Sequence, residues 1–277
     1  MTRLNSSDIA TIASRLDEYD GALLAKTGST LKGIACIGAG LEEPEANCRM
    51  HGCRVCVVPM TCGQGIIESF AETLCAIAIH IGFDGFVAEK PDVSGLAEAF
   101  EGNAGILLLA DDDRFVAINT KSLQVADNAE ATGKGFVAGL SLMAGGLSDR
   151  SVFVIGCGPV GRSAAIASAR KGAAVTVFDL IAERCRTLIG HPSFTGITLR
   201  IAEDPMAAMI EHDCIIDATP GTDLIHMAKL APGAFIAAPG IPCGVSAESV
   251  EALSDRLLHD PLQIGVATML MEALVKR

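Results

Sequence analysis

An apolar run from Val152 to Ile155 passes directly into Gly156-Cys157-Gly158-Pro159-Val160-Gly161, and this junction restricts the fold of the chain more than any other feature. The pattern is Gly-x-Gly-x-x-Gly placed after a strand and before a helix rich in small residues, Ser163 to Ala169. Each glycine has a separate task there. Gly156 permits the tight turn, Gly158 lets the backbone approach a pyrophosphate, and Gly161 lets the helix pack closely on the strand. The helix N-terminus, entered through Pro159 and Val160, then holds the phosphates. A second apolar run, Ala173 to Phe178, ends in Asp179. A carboxylate at that point accepts hydrogen bonds from ribose hydroxyls and repels a 2′-phosphate, which favours NAD; Arg184 and Arg186 nearby leave NADP as the alternative.

The chain has 277 residues, half of them hydrophobic, which suits two domains of roughly 100 to 150 residues each. With one Tyr, no Trp and ten Phe, the cores must be aliphatic, as in parallel sheets covered by helices. The predicted fold class is therefore α/β: a C-terminal NAD-binding Rossmann domain preceded by a smaller α/β substrate domain. The predicted bounds are 1–134 for the substrate domain, 135–150 for a bridging helix and linker, and 151–277 for the Rossmann domain with a closing C-terminal helix.

No uncharged apolar stretch is long enough to cross a bilayer, and Asp8 and Asp17 break any signal-like N-terminus, so a cytoplasmic protein is expected. A formal charge of −12 disfavours nucleic acid and anionic membranes as partners. A small-molecule substrate is expected, and an oligomer is compatible with the composition. Ten cysteines without a secretion signal read as buried thiols rather than as a disulfide framework. Cys48, His51, Cys53, Cys56 and Cys62 include a Cys-x-x-Cys pair, the one spacing that raises structural zinc. Cys56, however, enters the apolar run Val55 to Val58, where a strand points alternate residues to opposite faces, and no metal is assigned.

Along the first domain, Ser6, Ser7 and Asp8 open an amphipathic helix carrying Ile9, Ile12, Leu16 and Tyr19. Val55 to Pro59 reads as a strand and Thr61 to Gly65 as the turn into a long helix reaching His80, with Ile66, Ile67, Phe70, Leu74 and Ile77 as its buried stripe. Phe83 to Ala88 and Gly105 to Ala110 are further strands, and a bridging helix is expected from Gly135 to Met143. Beyond the fingerprint, the strands His212 to Asp217 and Ala234 to Ala238 lead into Ala218-Thr219-Pro220 and Pro239-Gly240. In a doubly wound sheet these strand ends face the ligand crevice, which makes them candidate walls for nicotinamide and its ribose.

The most unusual polar feature of the first domain is Asp111-Asp112-Asp113, directly after an apolar strand. Such a run is commonly a solvated turn. In the functional reading, Asp111 binds a substrate ammonium group, whose charge relieves the repulsion among the carboxylates. A primary amine yields hydride only in its neutral form, so a carboxylate or water must also take a proton. Asp92, in Pro91-Asp92-Val93-Ser94, reads as a helix cap rather than a catalytic acid.

The chain resembles the PylD family of NAD-dependent dehydrogenases that complete pyrrolysine biosynthesis. The resemblance runs through Leu4, Val58-Pro59, Thr61, Gly63, Gly65-Ile66-Ile67, Ser69-Phe70, Pro91 to Gly95, Ala110-Asp111-Asp112, the glycine fingerprint, Ala218-Thr219-Pro220, Pro239 to Cys243 and Pro261-Leu262. It implies that the substrate is an isopeptide, 3-methylornithine joined to the side-chain nitrogen of lysine, whose terminal amine is oxidised before the product cyclises. It further implies Asp111 and Asp260 as catalytic residues and Leu4, Thr61, Cys62, Gly63 and Ala110 as substrate contacts. Two positions depart from the family pattern: Asp260 stands where Glu is common, shortening the reach by a methylene, and Cys62 stands where Ser is common, exchanging a strong donor for a weak one. The alternatives are a shikimate-type or amino-acid dehydrogenase, for which Lys90 is the candidate lysine, and a non-catalytic NAD sensor.

Overall fold

The computed structural model describes residues 4–190 and 199–275. The chain divides into two compact units, one of residues 1–25, 29–131 and 262–277, the other of residues 26–28 and 132–261.

The first unit opens with α1 (Ser6–Ile9), whose start is tied down by the Asn5 N–H donating to Asp8 Oδ2 at 2.8 Å. A single 3-10 turn, Ala13–Arg15, separates it from α2 (Leu16–Thr27), so the expected single helix is broken into short pieces. Then come α3 (Leu31–Ala39), α4 (Glu43–Met50), β1 (Arg54–Val57), α5 (Phe70–His80), β2 (Asp84–Val87), α6 (Asp92–Glu101), β3 (Ala104–Ala110), β4 (Phe115–Asn119) and β5 (Val125–Asp127). Among the described residues these strands form one sheet in the order β2-β1-β3-β4-β5. β1 pairs in parallel with both β2 and β3, placing Cys56 opposite Phe86 and Leu107. β4 and β5 run antiparallel, because the turns that precede them are too short for a crossover. One face of the sheet is filled by Cys56, Val58, Ala88, Ala99, Ala104 and Leu107.

α5 begins later than its apolar pattern suggests. Gly63, Gly65 and Ser69 all hold positive φ, and Ser69, at +61°, blocks the helix from starting before Phe70. Ile66 consequently leaves the buried stripe and is 54% exposed, while Leu74 and Ile77 remain in the core.

The chain passes into the second unit along α7 (Asn128–Met143). This helix starts well before the expected Gly135, because Asp127 Oδ1 accepts the Ala129 N–H at 3.0 Å and satisfies one of the free donors of its first turn. β6 (Ser151–Ile155), α8 (Pro159–Arg170), β7 (Ala174–Phe178), α9 (Ala182–Ile189), β8 (Leu199–Ile201), α10 (Pro205–Glu211), β9 (Cys214–Asp217), β10 (Phe235–Ala237), α11 (Ala247–Val250) and β11 (Leu257–Leu258) follow. The sheet order is β11-β10-β9-β6-β7-β8, with every pair parallel. This is the doubly wound dinucleotide order, whose strand sequence reverses between β6 and β9 and opens the ligand crevice at their carboxyl ends.

The last helix, α12 (Gln263–Leu274), falls in the first unit, whereas the sequence reading places it in the Rossmann domain. It packs on α3, α5 and β4. Nearly every residue from Gln263 to Leu274 is buried, and a helix apolar on all sides has to be enclosed. Its final carbonyls are satisfied within the same unit, Leu274 by Arg49 Nη1 at 2.6 Å and Ala273 by Asn119 Nδ2 at 3.0 Å.

Candidate active site

The fingerprint loop has the shape that a dinucleotide requires. Gly156 sits at φ +92°, and a Cβ there would lie 2.8 Å from the Ala218 carbonyl oxygen. A Cβ on Gly161 would lie 1.8 Å from the Gly156 carbonyl oxygen, so helix α8 and the loop touch backbone to backbone. Around Gly158 nothing lies within 4 Å of the same position. Two glycines are thus demanded by packing and the third leaves open space at the N-cap of α8, where unpaired N–H groups can meet an anion. Pro159 follows at the first helical position, where its missing N–H costs nothing. The Val160 carbonyl approaches Gly133 of α7, a Cβ on which would sit 2.5 Å away.

Asp179, just beyond β7, is anchored beneath this loop. Its Oδ2 accepts the Cys157 N–H and its Oδ1 the Ile181 N–H, both at 2.8 Å. Each oxygen keeps lone-pair capacity for a ribose hydroxyl. Arg184 Nη1 is 3.7 Å from Oδ2. Leu180 follows at 93% exposure, an apolar side chain held in water where a planar base could cover it. The Asp-Leu-Ile run after a strand was the available signal for that residue. Cys157 is buried, with its sulfur 3.5 Å from that of Cys185.

On the other side of the switch point, Asp217 joins the two turns expected to line the crevice. Its Oδ1 accepts the Thr219 hydroxyl at 2.7 Å and the Thr219 N–H at 3.1 Å, and its carbonyl accepts the Gly240 N–H at 2.9 Å. Ala218 and Thr219 are half-buried, Pro220 is exposed, and Pro239 is buried. Asp217 ends an apolar strand directly before Ala-Thr-Pro, a signal that sequence reasoning used for the turn and not for the acid. Its Oδ2 is fully buried and faces the Gly244 backbone without completing a hydrogen bond. Burial therefore raises its carboxyl to about 6, against the opposing pull of the Thr219 bonds and His259.

The sign of the resulting pH dependence follows from that direction. The unfolded chain loses this proton near pH 3.9 and the folded chain only near 6, so the contribution is fully present below the unfolded value and is lost as pH rises through the folded one. Relative to Asp217→Asn, the wild type is expected to lose about 3 kcal/mol of stability between acid and neutral pH. Urea unfolding of both proteins across that range checks this; parallel stability curves would remove the buried charge from the account.

In the first unit, the loops after β1, β2 and β3 are stitched together. The Thr61 N–H donates to Asp92 Oδ1 at 2.9 Å, and the Thr61 hydroxyl makes a short bond to Asp92 Oδ2. Asp92 is thus not the cap of its own helix but a clamp on the β1 loop, and these bonds hold its carboxyl below the usual range. Asp112 Oδ2 accepts the Gln64 N–H at 2.8 Å and fills the space beside Gly63. Asp111 Oδ1 accepts the N–H groups of Asp113 and Arg114 at 2.8 and 2.7 Å. These donors lower its pKa and keep it an anion. Thr61, Cys62, Gly63 and Asp111 are exposed around this turn cluster, Ala110 is half-buried, and Leu4 is buried. Asp260 belongs to the second unit, buried beside His259 beyond β11.

Lys90 is largely exposed, with Nζ 3.5 Å from Glu98, the position of a solvated lysine and not of a catalytic one. Cys56 is buried in β1 while Cys48 and Cys62 are exposed, and among the described residues no group of three or more His, Cys, Asp or Glu side chains is placed to hold a metal ion.

Comparison with known proteins assigns the two parts of the chain separately. Residues 8–126 match the family model of the pyrrolysine biosynthesis protein PylD, N-terminal domain. Residues 125–238 match that of the alanine dehydrogenase/PNT C-terminal domain. The pyrrolysine synthase of Methanosarcina acetivorans is 34% identical over 99% of this chain and 100% of its own length. That of Methanosarcina barkeri is 34% identical over 99% of this chain and 98% of its own. Among solved structures, the shikimate dehydrogenase of Aquifex aeolicus aligns with TM-score 0.54 at 13% identity, covering 80% of this chain and 90% of its own. The quinate dehydrogenase of Corynebacterium glutamicum, in complex with NAD, aligns with TM-score 0.52 at 14% identity, covering 81% and 94%. At such identities the likeness to the two dehydrogenases speaks for the fold alone.

Proposed function

The chain belongs to the PylD family of pyrrolysine synthases, and from that premise we propose that it oxidises the terminal amine of 3-methylornithyl-N6-lysine and releases a product that closes to pyrrolysine. The observation that carries this reading is the full-length likeness to the two synthases together with a fingerprint loop whose one open glycine position fits a pyrophosphate. NAD, when bound, supplies the acceptor for the hydride on the carbon bearing the amine. Loss of that hydride and of a proton leaves an imine; water adds, ammonia departs, and the α-amine of the same ornithine condenses with the aldehyde, expelling the water. The net change is loss of ammonia and two hydrogens. Ring closure within one molecule needs little chemical help, because effective molarities reach about 10⁵ M when the ends are well oriented.

The residues divide this work. Asp111 is an anion held by two backbone N–H groups and is therefore a weak base, suited to recognise the substrate ammonium rather than to take its proton. Proton removal falls to water or to Asp260. Thr61, Cys62, Gly63, Ala110 and Leu4 contact the remainder of the substrate. Gly156, Gly158, Pro159, Val160, Gly161 and Asp179 hold the pyrophosphate and adenosine ribose, and Ala218, Thr219, Pro220 and Pro239 border the nicotinamide. Among the described residues no helix is long and apolar enough to cross a membrane. With a formal charge of −12, a cytoplasmic enzyme acting on a small amine, without a nucleic-acid partner, is the consistent setting.

Incubation with the isopeptide and NAD is expected to give substrate-dependent NADH absorbance and a product lighter by ammonia and two hydrogens in mass spectrometry. NADH formation with shikimate or alanine and none with the isopeptide would overturn the assignment. NAD binding without any substrate-dependent NADH would leave a sensor.

A further inference from the structure

Two buried thiols of the second unit lie sulfur against sulfur beside the fingerprint loop, and the proposed reaction uses neither. Cys157 stands between the first two glycines of the fingerprint, and Cys185 stands on α9, 28 positions further along the chain. Their sulfurs are 3.5 Å apart, and both cysteines are reduced. A disulfide needs about 2.05 Å, so closing the bond draws the two sulfurs together by about 1.5 Å. Two thiols already in contact inside one compact unit meet far more often than exposed cysteines on separate loops.

The same two residues bracket Asp179. The Cys157 N–H donates to its Oδ2, and the Ile181 N–H, one residue before α9 begins, donates to its Oδ1, both at 2.8 Å. The loop side has little room to yield. Gly156 already lies against the Ala218 carbonyl and Gly161 against the Gly156 carbonyl, too close for even a methyl group. Drawing the sulfurs together therefore shifts α9 and the chain leading into it, or breaks the bond from Cys157 to Asp179. Either outcome displaces the carboxylate assigned to the adenosine ribose.

We propose that Cys157 and Cys185 form a modification site which hydroperoxides close to a disulfide, and that the closed form binds NAD more weakly; the second half rests on the cofactor site described above. With hydrogen peroxide, the sulfur of Cys157, the less buried of the two, attacks one oxygen. The O–O bond breaks, and the departing hydroxide takes the thiol proton and leaves as water. The Cys185 sulfur then attacks the sulfenic sulfur, the S–S bond forms, the S–O bond breaks, and a second water carries off the Cys185 proton. Two electrons pass from the two thiols to one peroxide. Burial, the Cys185 sulfur and the charge of Asp179 push the Cys157 thiol upward, with Arg184 opposing. The thiolate is the attacking form, so the oxidation is slow at neutral pH and gains speed in alkali.

The test treats the full-length protein with hydrogen peroxide at about pH 8.5, near the ordinary thiol value, blocks the remaining thiols and digests without reduction. Mass spectrometry reads the peptides, and calorimetric titration gives NAD affinity before and after. A linked peptide joining Cys157 to Cys185 is expected, with NAD binding about tenfold weaker, the size of one lost hydrogen bond to a carboxylate, and restored by dithiothreitol. Linkage is reciprocal, so saturating NAD is expected to raise the reduction potential of the pair by the same tenfold, about 30 mV, in glutathione buffers. Cys185→Ala is expected to keep its NAD affinity through the peroxide treatment, and an equal loss in that variant would overturn the coupling. Should the variant not fold, the wild type decides. Cys157 and Cys185 recovered unlinked, or paired with other cysteines, overturn the modification site, and a linked peptide with unchanged NAD affinity overturns the coupling. Reduced protein that binds no NAD would refute the cofactor site and the coupling with it, while the linked peptide still decides the disulfide.

Discussion

Gly158→Ala is expected to leave the second unit folded and yet weaken NAD binding about 100-fold, whereas Gly161→Ala is expected to destroy binding by disrupting the fold itself. The two substitutions add the same methyl group one helical turn apart. At Gly158 that methyl meets nothing within 4 Å, so the protein alone has no reason to object. It enters the space where a pyrophosphate must come against the backbone, and the loss of close N–H contacts to an anion is a large fraction of dinucleotide affinity. At Gly161 the methyl would stand 1.8 Å from the Gly156 carbonyl oxygen, a backbone atom that cannot rotate away. Either α8 or the loop after β6 must shift, at a cost of about 3 kcal/mol or more for forced overpacking in a buried junction. Calorimetric titration with NAD, paired with thermal unfolding, separates the cases. If both variants unfold early, the open space at Gly158 is structural; if both bind NAD normally, this loop does not hold the cofactor.

Asp111→Asn is expected to lower kcat/KM for the isopeptide by about 100-fold or more while NAD affinity stays at its wild-type value, since the charge-assisted bond to the substrate ammonium is the interaction removed. Asparagine is the informative replacement because Asp111 has two duties in the structure. Its Oδ1 accepts the N–H groups of Asp113 and Arg114 and shapes the turn between β3 and β4, and an asparagine Oδ1 can take over both bonds. Asp111→Ala loses turn and charge together. Steady-state kinetics of the pair therefore distinguish recognition from architecture: if alanine inactivates and asparagine does not, Asp111 serves the turn, and the ammonium is held elsewhere.

How much of this was legible beforehand depended on the range of the interactions involved. The glycine fingerprint, the carboxylate at Asp179 and the strands leading to Asp217 and Pro239 are local patterns, in which a short stretch of chain already carries its own geometric demand. They announced a doubly wound domain, and the strand order agrees. β5, β8 and β11 escaped notice because strands of two or three residues carry no periodicity to read. The start of α5 was misplaced because a left-handed Ser69 is invisible in an apolar run that otherwise suits a helix. In the candidate site, Asp92 read as a cap from its Pro-Asp-x-Ser context, and only the fold brings Thr61, thirty-one positions away in sequence, against its carboxylate.

From sequence alone came the class of the fold and the cofactor, because both rest on a local motif whose residue types have a physical use at that spacing, while the family came from a resemblance spread along the chain. Tertiary structure decided which unit takes α12, that Asp217 rather than the turns themselves ties the crevice edge together, and that Asp92 clamps the loop at Thr61. Those outcomes turn on burial and on partners far apart along the chain, and neither a buried carboxylate nor a clamp between distant loops exists until the chain has folded.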